Sequence, residues 1–406
     1  MSRILLLFFL LTIGSLKAQT NQNIDITFTS DLENFRTISN IKESLKDVDI
    51  IALGENTHGL GEVFKVKTEL VKFLHQELGF NLVLFESGFG DGALAMEKFD
   101  SLSPSDFTRS FTSYFYYQSE EIKDLVEYAK TQNKKLAIQG FDCQPKQEYL
   151  IQRMTEIVQP LDSVFAKSVN KGMNDFNKLY QFEYEKDTVN FYLQRDRFIA
   201  FLNEYEKIII ENKQQLLDSG TTLNELMIIS KSNQIFKDTY AKIEIGGLMA
   251  WPISADIRDK ALYETVKWFK ENNPKSKIII WAQNSHIENK SKPNYTVKWM
   301  GHYLKNAYGN KYYSMGTLVY SGKNLNYNGT FDFEHKSKDY LAYHLNQFGK
   351  EKFVLDLRNY SKNDFINQKL VGMENSGNTA EFVAKDRFDG LLFIKHSGIP
   401  KLLNKK

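Results

Sequence analysis

Glu55 and His58 stand three residues apart just beyond the apolar run Ile50-Ile51-Ala52-Leu53, in a chain of 406 residues. A carboxylate beside an imidazole is a minimal acid–base pair. A neutral histidine accepts a proton from water near neutral pH, and the carboxylate holds its tautomer and stabilises the imidazolium that forms. Three more apolar runs end in groups of this kind. Leu82–Phe85 leads into Glu86, the run at 135–140 into Asp142, and Ile278–Trp281 into Gln283 and His286. Each alone is weak evidence, because a strand-end carboxylate is often a helix cap and a histidine after a strand is more often a structural hydrogen-bonder. Four runs delivering such groups to one edge carry more weight. His286, Lys67 or backbone N–H groups of the glycine-bearing turns are candidates to stabilise an oxyanion. His75, His302, His335, His344 and His396 lack this setting and read as structural or surface residues.

The elements that must position these groups follow from apolar patterning. Strand-like runs recur at 48–53, 82–85, 135–140, 277–281, 312–319, 353–357 and 390–394, with helical periodicity between them. This alternation predicts an α/β fold with a largely parallel sheet flanked by helices. In such sheets ligands bind outside the carboxyl ends of the strands. The helix after His58 is the clearest: Val63, Val66, Leu70 and Leu74 recur at helical spacing, and Gly79 suits a C-terminal cap. Lys67 falls at the edge of this apolar stripe, where a lysine needs a partner. Between about 146 and 250 prolines are sparse and apolar residues recur every three or four positions, which predicts a helical insertion forming a lid within one domain spanning 19–406. The aromatic run Phe111, Tyr114, Phe115, Tyr116 and Tyr117 serves either the core or a pocket for a large apolar ligand.

Composition narrows the partners. Lys and Arg number 52 against 50 Asp and Glu, a net charge of +2 with no block of like charge, so nucleic acid is not an expected partner. Arg3, the apolar block Ile4–Ile13 and the small residue Ala18 read as a signal peptide over residues 1–18. The expected product is exported, periplasmic or secreted, with no stable membrane anchor. Cys143 is the single cysteine, so stability rests on an ordinary core. Oligomeric state is not legible.

At the residues carrying the chemistry the chain resembles the erythromycin esterase family. The matching features are Gly54-Glu55-Asn56-Thr57-His58 followed by Glu62, Phe85-Glu86, Gly140-Phe141-Asp142 with Gln144, Arg258-Asp259, Trp281-Ala282-Gln283-Asn284-Ser285-His286, and Met300-Gly301. The ordered set is more specific than any one motif. The resemblance implies hydrolysis of an ester, in the best-known members the lactone of macrolide antibiotics and hence resistance to them, with no cofactor or required metal. It implies His58 as the base for water, supported by Glu55, Glu86 and His286. Lys67, Asp142, Gln283 and Arg258 are the candidate contacts to a small-molecule substrate. Two departures bear on that substrate. Lys67 stands where such enzymes usually carry arginine, keeping the charge without the planar fork. Gln283 replaces a histidine common in the family and cannot carry a proton.

Other chemistries leave weaker traces. Ser87 follows a strand but lacks the glycine of a nucleophile elbow two positions earlier. His58, His286 and the two glutamates are chemically suited to zinc or iron, without HExxH spacing, and chelation would expose such a metal-dependent hydrolase. A non-catalytic protein binding an envelope glycan or apolar metabolite is the remaining alternative; Arg258 and Asp259 would then be a structural ion pair.

Overall fold

A computed structural model describes residues 39–112, 114–132, 136–144, 147–175, 188–243, 253–290, 297–359, 365–373 and 379–404. The expected signal segment at 1–18 lies outside them. Ten strands form in chain order: β1 Ile50–Leu53, β2 Phe80–Gly88, β3 Ala137–Asp142, β4 Lys277–Trp281, β5 Tyr312–Asn326, β6 Gly329–Glu334, β7 Lys352–Asp356, β8 Lys369–Met373, β9 Thr379–Val383 and β10 Gly390–Ser397. The helices that matter for the site are α1 Ser39–Leu45, α2 Gly61–Leu78, α3 Phe89–Glu97, α4 Pro104–Phe111, α5 Glu120–Thr131, α6 Glu148–Val158, α7 Ser163–Asp175, α8 Thr188–Glu211, α9 Lys213–Asp218, α10 Leu223–Tyr240, α11 Ile253–Asn272 and α12 Asn284–Ile287.

The main sheet runs β3-β2-β4-β1-β5-β10-β7. Its first six strands are parallel neighbours, and β7 adds an antiparallel edge. The expected α/β fold, a mostly parallel sheet flanked by helices, is therefore present. Every residue of β1 is buried, as is Ile278–Trp281 of β4. Continuous apolar runs of β-branched residues suit strands covered on both faces. β1 sits at the centre between β4 and β5, so Glu55 and His58 emerge in mid-sheet, flanked by the end of β4.

α2 buries Val63, Val66, Leu70 and Leu74 as the periodicity requires, and Gly79 closes it with φ 72°. Within 146–250 the described residues form the helices α6 to α10, which meet the sheet through α3 and α11. Three strands escape the sequence pattern. β6 alternates exposed and half-buried residues because it forms an antiparallel flap with β5 beyond the sheet edge. β8 and β9 form a separate antiparallel hairpin. Strands without a continuous apolar run give no such signal, since one face meets water.

Candidate active site

Past the end of β1 the chain bends at Asn56, and at Gly54 just before it a Cβ would stand 2.1 Å from Asn284 Oδ1. Asn284 clamps that bend from the β4 side. Its amide exchanges two hydrogen bonds with the backbone of Thr317 on β5, at 2.8 and 2.9 Å, and its N–H donates to the Glu55 carbonyl at 2.7 Å. Glu55 then points into the protein, fully buried. Four donors converge on it: Lys67 Nζ at 2.9 Å and the Trp281 indole on Oε1, His58 Nδ1 at 2.9 Å and the Tyr117 hydroxyl at 3.2 Å on Oε2. Burial works against its charge, but Lys67 and the His58 hydrogen bond outweigh it and hold the carboxyl below its ordinary range. Burial lowers the pKa of Lys67 to about 8, against the pull of Glu55. Lys67 Nζ also lies 4.2 Å from the Trp281 ring centroid.

Glu55 accepts at Oε2, so His58 presents Nδ1–H to it and its Nε2 is the basic nitrogen. No protein group among the described residues bonds Nε2. The Tyr117 oxygen lies 3.0 Å from Nδ1, and burial together with Glu55 pushes that phenol well up, so it remains a donor. Tyr114 and Tyr116 stack against the imidazole at centroid distances of 5.1 and 5.5 Å. The Tyr114 hydroxyl reaches Gln144 at 2.8 Å, beside Asp142.

A second network occupies the ends of β2, β3 and β4. Arg258, on the first turns of α11, donates to both oxygens of Asp142 (3.3 and 2.6 Å) and to Glu86 at 3.1 Å. His286 lies between Asp259, 2.8 Å from Nδ1, and Glu86, 3.3 Å from Nε2. Burial opposes a charged ring, but Asp259 and Glu86 outweigh it and push the pKa up to about 10. The protonated ring donates both N–H groups, so the approach of Arg258 Nη1 to Nε2 at 3.2 Å is a contact between cations, offset by Glu86 between them. Burial likewise opposes the Glu86 charge, yet His286, His58 and Arg258 hold that carboxyl well below its ordinary value. Glu86 also caps the β4 turn, accepting from Gln283 N–H at 2.9 Å.

The eight residues singled out from sequence thus fall into two adjoining clusters. Lys67 is fully buried behind Glu55, facing away from any open surface. Asp142 holds Arg258, and its carboxylate is likewise buried. The Gln283 Nε2 atom is buried without a hydrogen-bond partner among the described residues. Arg258 pairs with Asp142 and Glu86, and Asp259 with His286, so the two neighbours join a larger network instead of pairing with each other. Tyr117, Trp281, Asn284 and Asp259 complete the constellation. Trp281 reads as a core residue because it ends an apolar strand, and Tyr117 is hidden in an aromatic run. Among the described residues no group of three or more His, Cys, Asp or Glu is arranged to hold a metal ion.

The carboxyl edge of a mostly parallel α/β sheet thus carries a carboxylate-held histidine beside a buried ionic network. The chain belongs to the erythromycin esterase family, whose sequence profile matches residues 75–397. Glu55 and His58 lie ahead of that matched span. Membership places the chain among hydrolases. It is 28% identical over 309 residues to the provisionally named hydrolase YbfO of Bacillus subtilis (strain 168), covering 70% of this chain and 68% of that protein. It is 26% identical over 310 residues to an erythromycin esterase type II of Escherichia coli, covering 71% and 73%. Two solved structures share the fold: a Bacillus cereus protein (TM-score 0.65, 22% identity, 93% of this chain and 94% of that one) and an erythromycin esterase variant in its open conformation (TM-score 0.60, 14% identity, 92% and 96%).

Proposed function

We propose that the protein hydrolyses a carboxylic ester or lactone, with His58 as general base. The observation that carries this reading is the 2.9 Å Glu55–His58 contact, which leaves Nε2 basic and without a protein partner among the described residues. A water molecule donates to Nε2, loses its proton as it attacks the ester carbonyl, and leaves a tetrahedral oxyanion. The imidazolium then returns that proton to the departing alkoxide, giving an acid and an alcohol. Glu55 stabilises the imidazolium during the interval.

Electrostatic balance supports the same cycle. Four carboxylates, Glu55, Glu86, Asp142 and Asp259, face three cations, Lys67, Arg258 and His286, so the cluster carries one net negative charge that a proton on His58 cancels. Arg258 is the least buried of the three cations, with a side chain 13% exposed against 0% for Lys67 and 2% for His286. That makes Arg258 the group best able to meet the oxyanion, with Glu86 and Asp142 holding it in place. The helical segment at about 146–250 is read as a cover for the cleft, and the product as exported after loss of residues 1–18; sequencing the mature N-terminus tests the latter.

Mass spectrometry of macrolides and simple lactones incubated with the protein, beside His58→Ala, tests the reading. The expected result is gain of one water that depends on His58. Unchanged compounds throughout would favour a binding protein for a glycan or apolar metabolite.

A further inference from the structure

The β5–β6 flap reaches past the sheet edge to the His58 turn and is fastened there. Leu325 N–H donates to the Gly59 carbonyl at 3.0 Å, and the Thr57 hydroxyl to Asn324 Oδ1 at 3.4 Å. The approach is so close that a Cβ on Gly59 would stand 1.8 Å from the Leu325 carbonyl oxygen. At the flap's tip Tyr327 is 69% exposed, and its ring lies 5.2 Å from Phe115 and 5.4 Å from Tyr116. Tyr116 in turn stacks at 5.5 Å on the imidazole of His58. A continuous aromatic wall therefore runs from the proposed base to a solvent-facing ring carried by a different element.

A tyrosine left this open contributes little to the core, and nothing in the hairpin ladder requires an aromatic at its turn. Apolar surface beside a reactive group is what a site offers to the apolar part of a ligand. We propose that Tyr327 is a specificity-determining residue, forming with Tyr116 and Phe115 a subsite for an apolar ring borne close to the scissile carbonyl. The inference rests on the ester-hydrolase reading for its substrate class, and deepens it. The flap spans both ends of the wall, since its fastening at Gly59 fixes the tip relative to His58.

The test separates the two claims. Saturation-transfer NMR is recorded on the His58→Ala protein with methyl 3-phenylpropionate and methyl acetate as probes, with and without Tyr327→Ala or Tyr327→Phe. The ring protons of the phenylpropionate should receive saturation, falling about five- to tenfold with Tyr327→Ala and persisting with Tyr327→Phe, as expected for loss of one ring–ring contact. In the active protein the ratio of kcat/KM between the two esters should fall by the same factor, through KM. Absent ring saturation, or saturation equal in Tyr327→Ala, overturns the subsite. Ring binding that depends on Tyr327, in a protein that hydrolyses neither ester, would keep the subsite and overturn the hydrolase reading.

Discussion

Glu55→Gln separates the catalytic from the structural work of the central carboxylate. An amide offers one acceptor oxygen where four donors now converge. The oxygen will face Lys67 and Trp281, because the ammonium carries a full charge, and the NH2 group must then face His58 Nδ1 and the Tyr117 hydroxyl. A donor opposite Nδ1 drives the imidazole proton to Nε2. The base is then protonated on the side that must accept from water, so kcat/KM should fall by roughly 10³ to 10⁴, as when a triad carboxylate becomes an amide. Stability falls for another reason: Lys67, fully buried, loses its counter-charge, which costs about 3–5 kcal/mol if the lysine stays charged. The loss has a ceiling, since burial already lowers the Lys67 pKa to about 8 and removing Glu55 lowers it further. A depressed lysine means that the unfolded chain holds the proton longer, so the variant's deficit against the parent should shrink as pH rises toward about 8, above which Lys67 is neutral in both folded proteins. Urea unfolding at pH 7 and 9, with ester turnover on the same preparations, measures both effects. Adding Lys67→Met should restore stability and leave activity low. Turnover within fivefold of the parent in Glu55→Gln would refute tautomer control by Glu55.

Tyr117→Phe removes one of the two donors to Glu55 Oε2 and should lower kcat/KM roughly three- to tenfold, with the folded state intact by circular dichroism. Arg258→Ala leaves Asp142 buried without a counter-charge and deprives Glu86 of one of its two, and should cost about 3–5 kcal/mol in urea unfolding, with Arg258→Lys recovering only part because a lysine cannot span both carboxylates. His286, with its pKa raised from 6.5 to about 10, contributes stability fully below pH 6.5 that is lost as pH rises through about 10; Glu55 and Glu86, lowered from 4.5, contribute stability that is lost as pH falls. Unfolding midpoints across pH should therefore peak between the two limits, and a His286→Gln protein that keeps the same alkaline decline would count against this assignment. Dialysis against a chelator should leave turnover within about twofold, since the proposed base acts on free water; loss of activity restored by zinc or iron would move the chemistry to a metal-bound water.

Much of this protein is local. The strand ending at Leu53, the α2 stripe and its Gly79 cap, and the delivery of Glu55, Glu86, Asp142 and His286 to strand ends are all written in apolar spacing, because burial on two faces of a sheet demands continuous apolar runs. Ordered motifs likewise sufficed to indicate the family. Lys67 shows where that legibility stops: its spacing marked it as anomalous, but only the packing of α2 against the sheet, along β2 and β10, set its ammonium between Glu55 and Trp281. The same holds for Asp259, whose partner His286 lies 27 positions further on, and for Tyr327, which reaches Tyr116 only through an antiparallel flap with no apolar run to announce it. Sequence sets which side chains are charged, apolar or aromatic. The pairing of those charges depends on distances across the sheet edge, which come into being only when strands distant in the chain lie side by side.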